Sequence, residues 1–171
     1  MKKTFFILLL TVILFPLWGA DKDEKKTVLV LGFSSPVMDE IEERFMREEV
    51  LRGLARRKAA FVSVMATEAL IRSRQNFRAG SVTAAEMNKM ARAAGATLVI
   101  AGNVICSNCT KKSITGIDPR CIYRCTIVVY FSESENSVSF SLERKGEKDR
   151  YRFLRAFSRE IVAALAAKKM L

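Results

Sequence analysis

All four cysteines of this 171-residue chain, Cys106, Cys109, Cys121 and Cys125, fall within twenty positions, in CSNCTKKSITGIDPRCIYRC. A C-x2-C pair faces a C-x3-C pair across a polar insert. Four thiolates at such spacing can hold a tetrahedral zinc ion. A C-x-x-C can instead cycle between dithiol and disulfide, and two pairs can close a hairpin as staples. The remaining residue types narrow the chemistry. The chain has no histidine, so Ser-His-Asp and Cys-His nucleophiles, H-E-x-x-H metal sites and histidine bases cannot be built from it. The densest acidic group, Asp39, Glu40, Glu42 and Glu43, crowds a helix start, where negative charge complements the macrodipole. The expectation is a non-enzyme with no catalytic residue, no bound cofactor and no resident metal.

Which of the three cysteine chemistries applies depends on the compartment. Lys2 and Lys3 precede the uncharged run TFFILLLTVILFPLW, residues 4–18, about the length of a signal-peptide hydrophobic region and short for a membrane span. Residues 1–20 therefore read as a signal peptide cleaved after Gly19 or Ala20, and 21–26 as a short charged linker. The alternative is an uncleaved segment anchoring the chain in the inner membrane, because Leu17 or Trp18 occupies the place where cleavage prefers a small residue. No cysteine stands near this junction, so a diacylglyceryl anchor is not expected. Either way, the remainder is expected outside the cytoplasm, periplasmic or secreted. The formal net charge is +11, and removing Lys2 and Lys3 leaves +9. In cytosol that surplus would suggest nucleic acid; in an envelope the partners are anionic surfaces or acidic protein faces, and nucleic acid is not expected.

The elements that must position the cysteines are legible from periodicity. KTVLVLGF (26–33) is a β-branched apolar run ending at Gly32, as in a strand covered on both faces. Asp39 can cap a helix whose stripe is Ile41, Phe45, Met46, Val50 and Leu54, with Arg47, Arg52, Arg56 and Arg57 largely outside it. AAFVSVM (59–65) reads as a short strand, and a helix follows around TEALIRSRQ. In SVTAAEMNKMARAAG, Thr83 and Glu86 have capping-box spacing, Val82 and Met87 suit a hydrophobic staple, and Gly95 supplies a left-handed stop. ATLVIAGNVI (96–105) is the third strand, with Gly102 letting it bend or pack closely. CIYRCTIVVYFSE is the fourth and NSVSFSLER (136–144) a half-exposed fifth, joined by a tight hairpin. The last element is a helix with Tyr151, Leu154, Phe157, Ile161 and Leu165 on its stripe. The expected fold class is α/β, an α+β sandwich around one mixed sheet of about five strands. Its order is β-α-β-α-α-β-β-β-α, and one domain spans 27–171.

On this framework the third and fourth strands are expected side by side and antiparallel, which brings residues 106–109 opposite 121–125. An oxidising envelope favours disulfides over zinc, and CSNCTKKSITG opens a polar loop, not the helix start that activates a redox thiol. The reading is a doubly stapled hairpin tip with nested pairs, Cys109 with Cys121 and Cys106 with Cys125. A regular ladder would point Cys106 and Cys109 to opposite faces, so this pairing needs a bulge or irregular loop.

The opening strand VLVLGF, the short strand FVSV and, most specifically, ARAAGATLVIAGNV resemble a family of periplasmic α/β domains. These are shared by the curli secretion channel protein CsgG, the penicillin-binding-protein activator LpoB and the amino-terminal domain of TolB. The resemblance covers about Lys26 to Lys168. It implies an envelope protein that works by binding other proteins or by assembling, and carries no catalytic residue across. This chain departs from the family in having no lipobox cysteine and no long amphipathic insertions of the kind that build a pore. The function expected is a non-catalytic assembly or regulatory factor for envelope machinery. Lys111, Lys112 and Arg120 on the cysteine-rich loop are candidate partner contacts. The alternative is a four-cysteine redox or zinc-binding periplasmic protein.

Overall fold

A computed structural model of the protein describes residues 26–74, 77–107 and 117–171. The expected leader and all but Lys26 of the linker lie outside the described residues. Among the described residues, strand β1 (Thr27–Ser34) leads to helix α1 (Glu40–Arg56), strand β2 (Ala60–Phe61) and helix α2 (Val64–Arg72). A 3-10 turn (Ala79–Ser81), helix α3 (Ala84–Ala94) and strands β3 (Leu98–Cys106), β4 (Ile122–Phe131) and β5 (Asn136–Lys145) follow, and helix α4 (Arg150–Ala167) closes the chain. The strands form one mixed sheet in the order β2-β1-β3-β4-β5. β1 runs parallel to β2 and β3, whereas β3-β4 and β4-β5 are antiparallel. No helix among the described residues is long and apolar enough to cross a membrane.

The side chains of β1 and β3 alternate between two cores, which is why both strands read as continuous apolar runs. On one face Val28, Val30, Leu98, Ile100, Val104, Ile127 and Val129 pack beneath Met46, Val50 and Leu54 of α1 and Phe153, Phe157 and Ile161 of α4. On the other, Leu29, Leu31, Val99 and Ala101 pack under Met87, Met90 and Ala91 of α3, with Tyr130 beside them. Gly102 sits where β1 and β3 press together: a Cβ there would lie 2.5 Å from Cδ1 of the buried Phe33 ring.

The helix boundaries follow from local hydrogen bonding. The Asp39 carboxylate accepts the Glu42 N–H at 2.8 Å while Glu42 accepts the Asp39 N–H at 3.1 Å. Thr83 and Glu86 make the same reciprocal pair at the start of α3, satisfying amides that the first turn leaves free. Gly95 ends α3 at φ 62°, in the left-handed region.

Three expectations are corrected. The second strand is only two residues long, because the Ser63 hydroxyl accepts the Ala66 N–H and caps a helix that already claims Val64 and Met65. Ile41, assigned to the buried stripe of α1, is 69% exposed, and Arg47, assigned outside it, is buried. The stripe is rotated because α1 contacts α4 and the sheet together. Tyr151 of the α4 stripe is likewise on the surface, edge-on to Phe45 with ring centroids 5.0 Å apart.

Candidate functional site

The antiparallel ladder of β3 and β4 sets where the cysteines fall. Cys106 stands opposite Tyr123, and Cys125 opposite Val104 on one side and Leu142 on the other. Cys106 and Cys121 are both disulfide-bonded, whereas Cys125 carries a free, buried thiol. The expected Cys106–Cys125 pair is therefore corrected: the register places Cys106 two residues from Cys125, and Cys125 points into the core between Tyr123 and Ile127. Burial pushes its thiol up to about 12, the behaviour of a structural cysteine and not of a nucleophile. Cys109, Lys111 and Lys112 lie outside the described residues. Among the described residues, no group of three or more His, Cys, Asp or Glu side chains is placed to hold a metal ion.

The described end of this loop is tied down by polar contacts. The Ser107 N–H and hydroxyl both donate to the Ile122 carbonyl, at 2.8 and 3.0 Å. The Asp118 N–H donates to the buried Tyr123 hydroxyl at 2.6 Å. Arg120 clasps the Asp118 carboxylate through Nε at 3.1 Å and Nη2 at 2.8 Å, and its backbone N–H adds a third bond. These bonds hold the Asp118 carboxyl at about 2, chiefly through the Arg120 side chain. Arg120 is exposed as a contact residue should be, but its charge is largely answered within its own loop.

A concave feature lies elsewhere, where no motif in the sequence marks it. β1 lies between β2 and β3, and the chain crosses over it on opposite faces: from β1 through α1 to β2, and from β2 through α2 and α3 to β3. Crossovers that lie on opposite faces part at the carboxyl end of such a strand and leave a crevice. Here a cleft of about 960 Å³ opens between the Ser34–Pro36 loop, the start of α1, the end of α2 and the 3-10 turn. Gly32 shapes the way in. The β1–β3 register slips between Val30 and Gly32, and Gly32 adopts φ 119°, a bulge that suits glycine and re-aims the strand end.

Charged side chains line this cleft. The buried Arg47 guanidinium donates to Glu68 Oε1 at 3.0 Å, and Arg44 and Arg72 approach the same carboxylate at 3.7 and 3.8 Å. Glu43 accepts the Ser35 N–H at 2.7 Å. Burial raises the Glu43 carboxyl above its ordinary range, against the lowering effect of that hydrogen bond. Ser34 and Asn103, neighbours across the β1–β3 pair, form the strand floor, where Gly80 N–H donates to Ser34 Oγ at 2.8 Å. The available signal was a strand ending in Gly-Phe-Ser-Ser-Pro before a helix with Arg44 and Arg47 one turn apart. Its partner Glu68 is 21 residues beyond Arg47 and could be joined to it only by the topology.

No family model matches the chain, and no curated protein matches its sequence. Solved structures do share its fold. The carboxy-terminal domain of LpoB from Salmonella enterica superposes with a TM-score of 0.52 at 13% identity, over 71% of this chain and 83% of that one. A chain of a PelC dodecamer from Paraburkholderia phytofirmans, a variant with one leucine replaced by methionine, superposes at 0.51 with 14% identity, over 82% of this chain and 87% of that one. At this identity the likeness is one of fold. It places the mixed five-stranded sheet and its flanking helices among architectures that include the LpoB carboxy-terminal domain.

Proposed function

We propose that this chain is an exported, non-catalytic envelope protein that binds a partner protein and acts as an assembly or regulatory factor for cell-envelope machinery. The observation that carries this reading is the fold held in common with the LpoB carboxy-terminal domain over 71% of the chain. The motif ARAAGATLVIAGNV, which prompted the wider resemblance to CsgG and TolB, forms the α3–β3 unit of that fold. Two further features support it. The leader-like segment 4–18 would deliver the chain to an oxidising compartment, and Cys106 and Cys121 are in the oxidised state that such a compartment maintains. The contact surface we assign is the end of the β3–β4 hairpin, with Lys111, Lys112 and Arg120, because a loop restrained at its base loses less entropy on binding.

The test is affinity purification of the tagged full chain from its native envelope, with wild type beside a Lys111→Ala/Lys112→Ala/Arg120→Ala variant. A partner retained by wild type and lost from the variant supports both function and surface. A cytoplasmic location on fractionation, or no partner recovered after cross-linking, removes the reading. The redox or zinc alternative is separated by mass spectrometry of the exported protein with and without reductant, since bound zinc or a reduced Cys106 would favour it.

A further inference from the structure

The cleft at the carboxyl end of β1 has more hydrogen-bond donors than acceptors. Arg44, Arg47 and Arg72 converge on the Glu68 carboxylate, and Arg44 also donates through Nε to Glu48 at 3.0 Å. Arg47 Nε, shielded from water, has no partner among the described residues and adds an unanswered donor to the wall behind them. The Asn103 amide makes no hydrogen bond among the described residues, and Ser34 Oγ accepts the Gly80 N–H, which leaves its own hydrogen to donate. Arg78, exposed on the far wall, adds a fourth guanidinium close enough to lower the Glu43 carboxyl electrostatically. Of the acceptors, Glu68 meets three arginines and one Glu43 oxygen takes the Ser35 amide, while Glu40 lies at the exposed edge. Guanidinium forks match the planar or tetrahedral oxygens of carboxylates and phosphates, and the low-dielectric wall around Arg47 strengthens its field.

We propose that this cleft binds a small molecule through a phosphate or carboxylate group, with Arg44, Arg72 and Arg78 at its rim and Asn103 and Ser34 at its floor. Arg47 stays behind this layer. Its ion pair fixes Glu68, which in turn holds Arg44 and Arg72 together, so Arg47 is a positioning residue and not a contact. The location is the crevice at the strand end where crossovers diverge, the common ligand position in sheets of this kind. The proposal does not depend on the partner-protein reading, because none of these residues belongs to the β3–β4 loop.

The experiment is isothermal titration calorimetry on the full chain with sodium phosphate and, separately, sodium succinate, against sodium chloride at matched ionic strength. Saturable one-site binding of at least one oxyanion is expected. The Arg44→Gln/Arg72→Gln variant removes only exposed charges and should fold; its affinity should fall about tenfold or more, the order of losing one charge-assisted hydrogen bond. Asn103→Ala should weaken binding several-fold with no change in net charge, and Arg92→Gln, on α3 away from the cleft, should bind as wild type. Phosphate alone binding assigns a phosphorylated ligand, and succinate alone a carboxylate. No saturable binding of either, or equal binding by the Arg44→Gln/Arg72→Gln variant and wild type, overturns the proposal. So does binding only of an acidic peptide.

Discussion

Gly102→Ala is the most informative single change in the sheet. The added methyl would meet Phe33 Cδ1 at 2.5 Å, Phe33 Cε1 at 2.8 Å and the Thr126 carbonyl oxygen at 3.1 Å. Phe33 is 1% exposed, so its ring cannot swing into solvent, and the third neighbour is backbone. Overpacking of a closed core costs about 1–3 kcal/mol, and two contacts below 3 Å place this case near the upper end. Replacing a glycine within a strand returns roughly 0.5–1 kcal/mol of backbone entropy. The net destabilisation expected is about 2 kcal/mol, or about 5–8 °C in Tm for a domain of this size. Thermal and urea unfolding followed by circular dichroism would measure it. Phe33→Leu removes the clashing ring edge, so the double variant should be more stable than the sum of the single changes predicts, with a coupling of about 1–2 kcal/mol. A Tm within about 2 °C of wild type for Gly102→Ala, or strict additivity in the cycle, would refute the claim that the β1–β3 contact fixes this residue.

Three other perturbations test separate parts of the structure. Gly95 has φ 62° and open space around its Cβ position, so Gly95→Ala should cost about 1 kcal/mol from the left-handed backbone alone, while Gly95→Asn should recover part of it; chemical denaturation would check both. Cys125, held up to about 12 by burial, should resist a thiol reagent at pH 8 in the native protein and react at once in denaturant, and labelling at comparable rates in both states would contradict its placement. Glu43 tests the electrostatics of the cleft. Its carboxyl is raised in the folded state, so the folded protein holds its proton more tightly than the unfolded chain, and Glu43 favours folding more as pH falls through the raised value. Glu43→Gln keeps an acceptor for the Ser35 amide without the buried charge. It should therefore be more stable than wild type at pH 7, with the advantage shrinking as pH falls through the raised value and gone once it is below the ordinary carboxylate range; a Tm difference that stays constant or grows on acidification would reverse the assigned cause.

The sheet and its order were legible because β1 and β3 are buried on both faces and β5 turns only Phe140 and Leu142 partly inward, and these patterns leave continuous and alternating apolar runs respectively. Capping residues were legible because Asp39 and Thr83 act within three positions of their partners. The errors share an origin in distance. Arg47 falls outside the apolar stripe by periodicity because its partner Glu68 lies on another helix, and AAFVSVM reads as a short strand over 59–65 although the Ser63 cap leaves only Ala60–Phe61 paired. The cysteines illustrate the same limit at finer scale. Adjacency of β3 and β4 could be expected from sequence, but the register that opposes Cys106 to Tyr123 could not, and a shift of two residues decides which thiols can meet.

The divergence of crossovers at β1 links the two candidate surfaces and keeps them apart. Helices α2 and α3 cover only the β1–β3 side of their face, where the cleft forms beside them. On that same face β4 and β5 present Arg124, Thr126, Ser137, Ser139, Ser141 and Glu143, paired across the ladder as Arg124 with Glu143 and Thr126 with Ser141. The opposite face of the same two strands carries Tyr123, Cys125, Ile127 and Val129 into the core under α4. The meander is therefore anchored by one face only, and the loop it carries can vary without disturbing the parallel strands that shape the cleft. The cleft in turn depends on the bulge at Gly32 and on the Arg47–Glu68 pair, neither of which touches the hairpin. Substitutions in the 107–120 loop should leave oxyanion binding unchanged, and substitutions at Arg44 or Arg72 should leave partner capture unchanged. Loss of both properties from a loop variant that still unfolds at the wild-type temperature would show that the two surfaces are coupled, and that this division of the sheet is wrong.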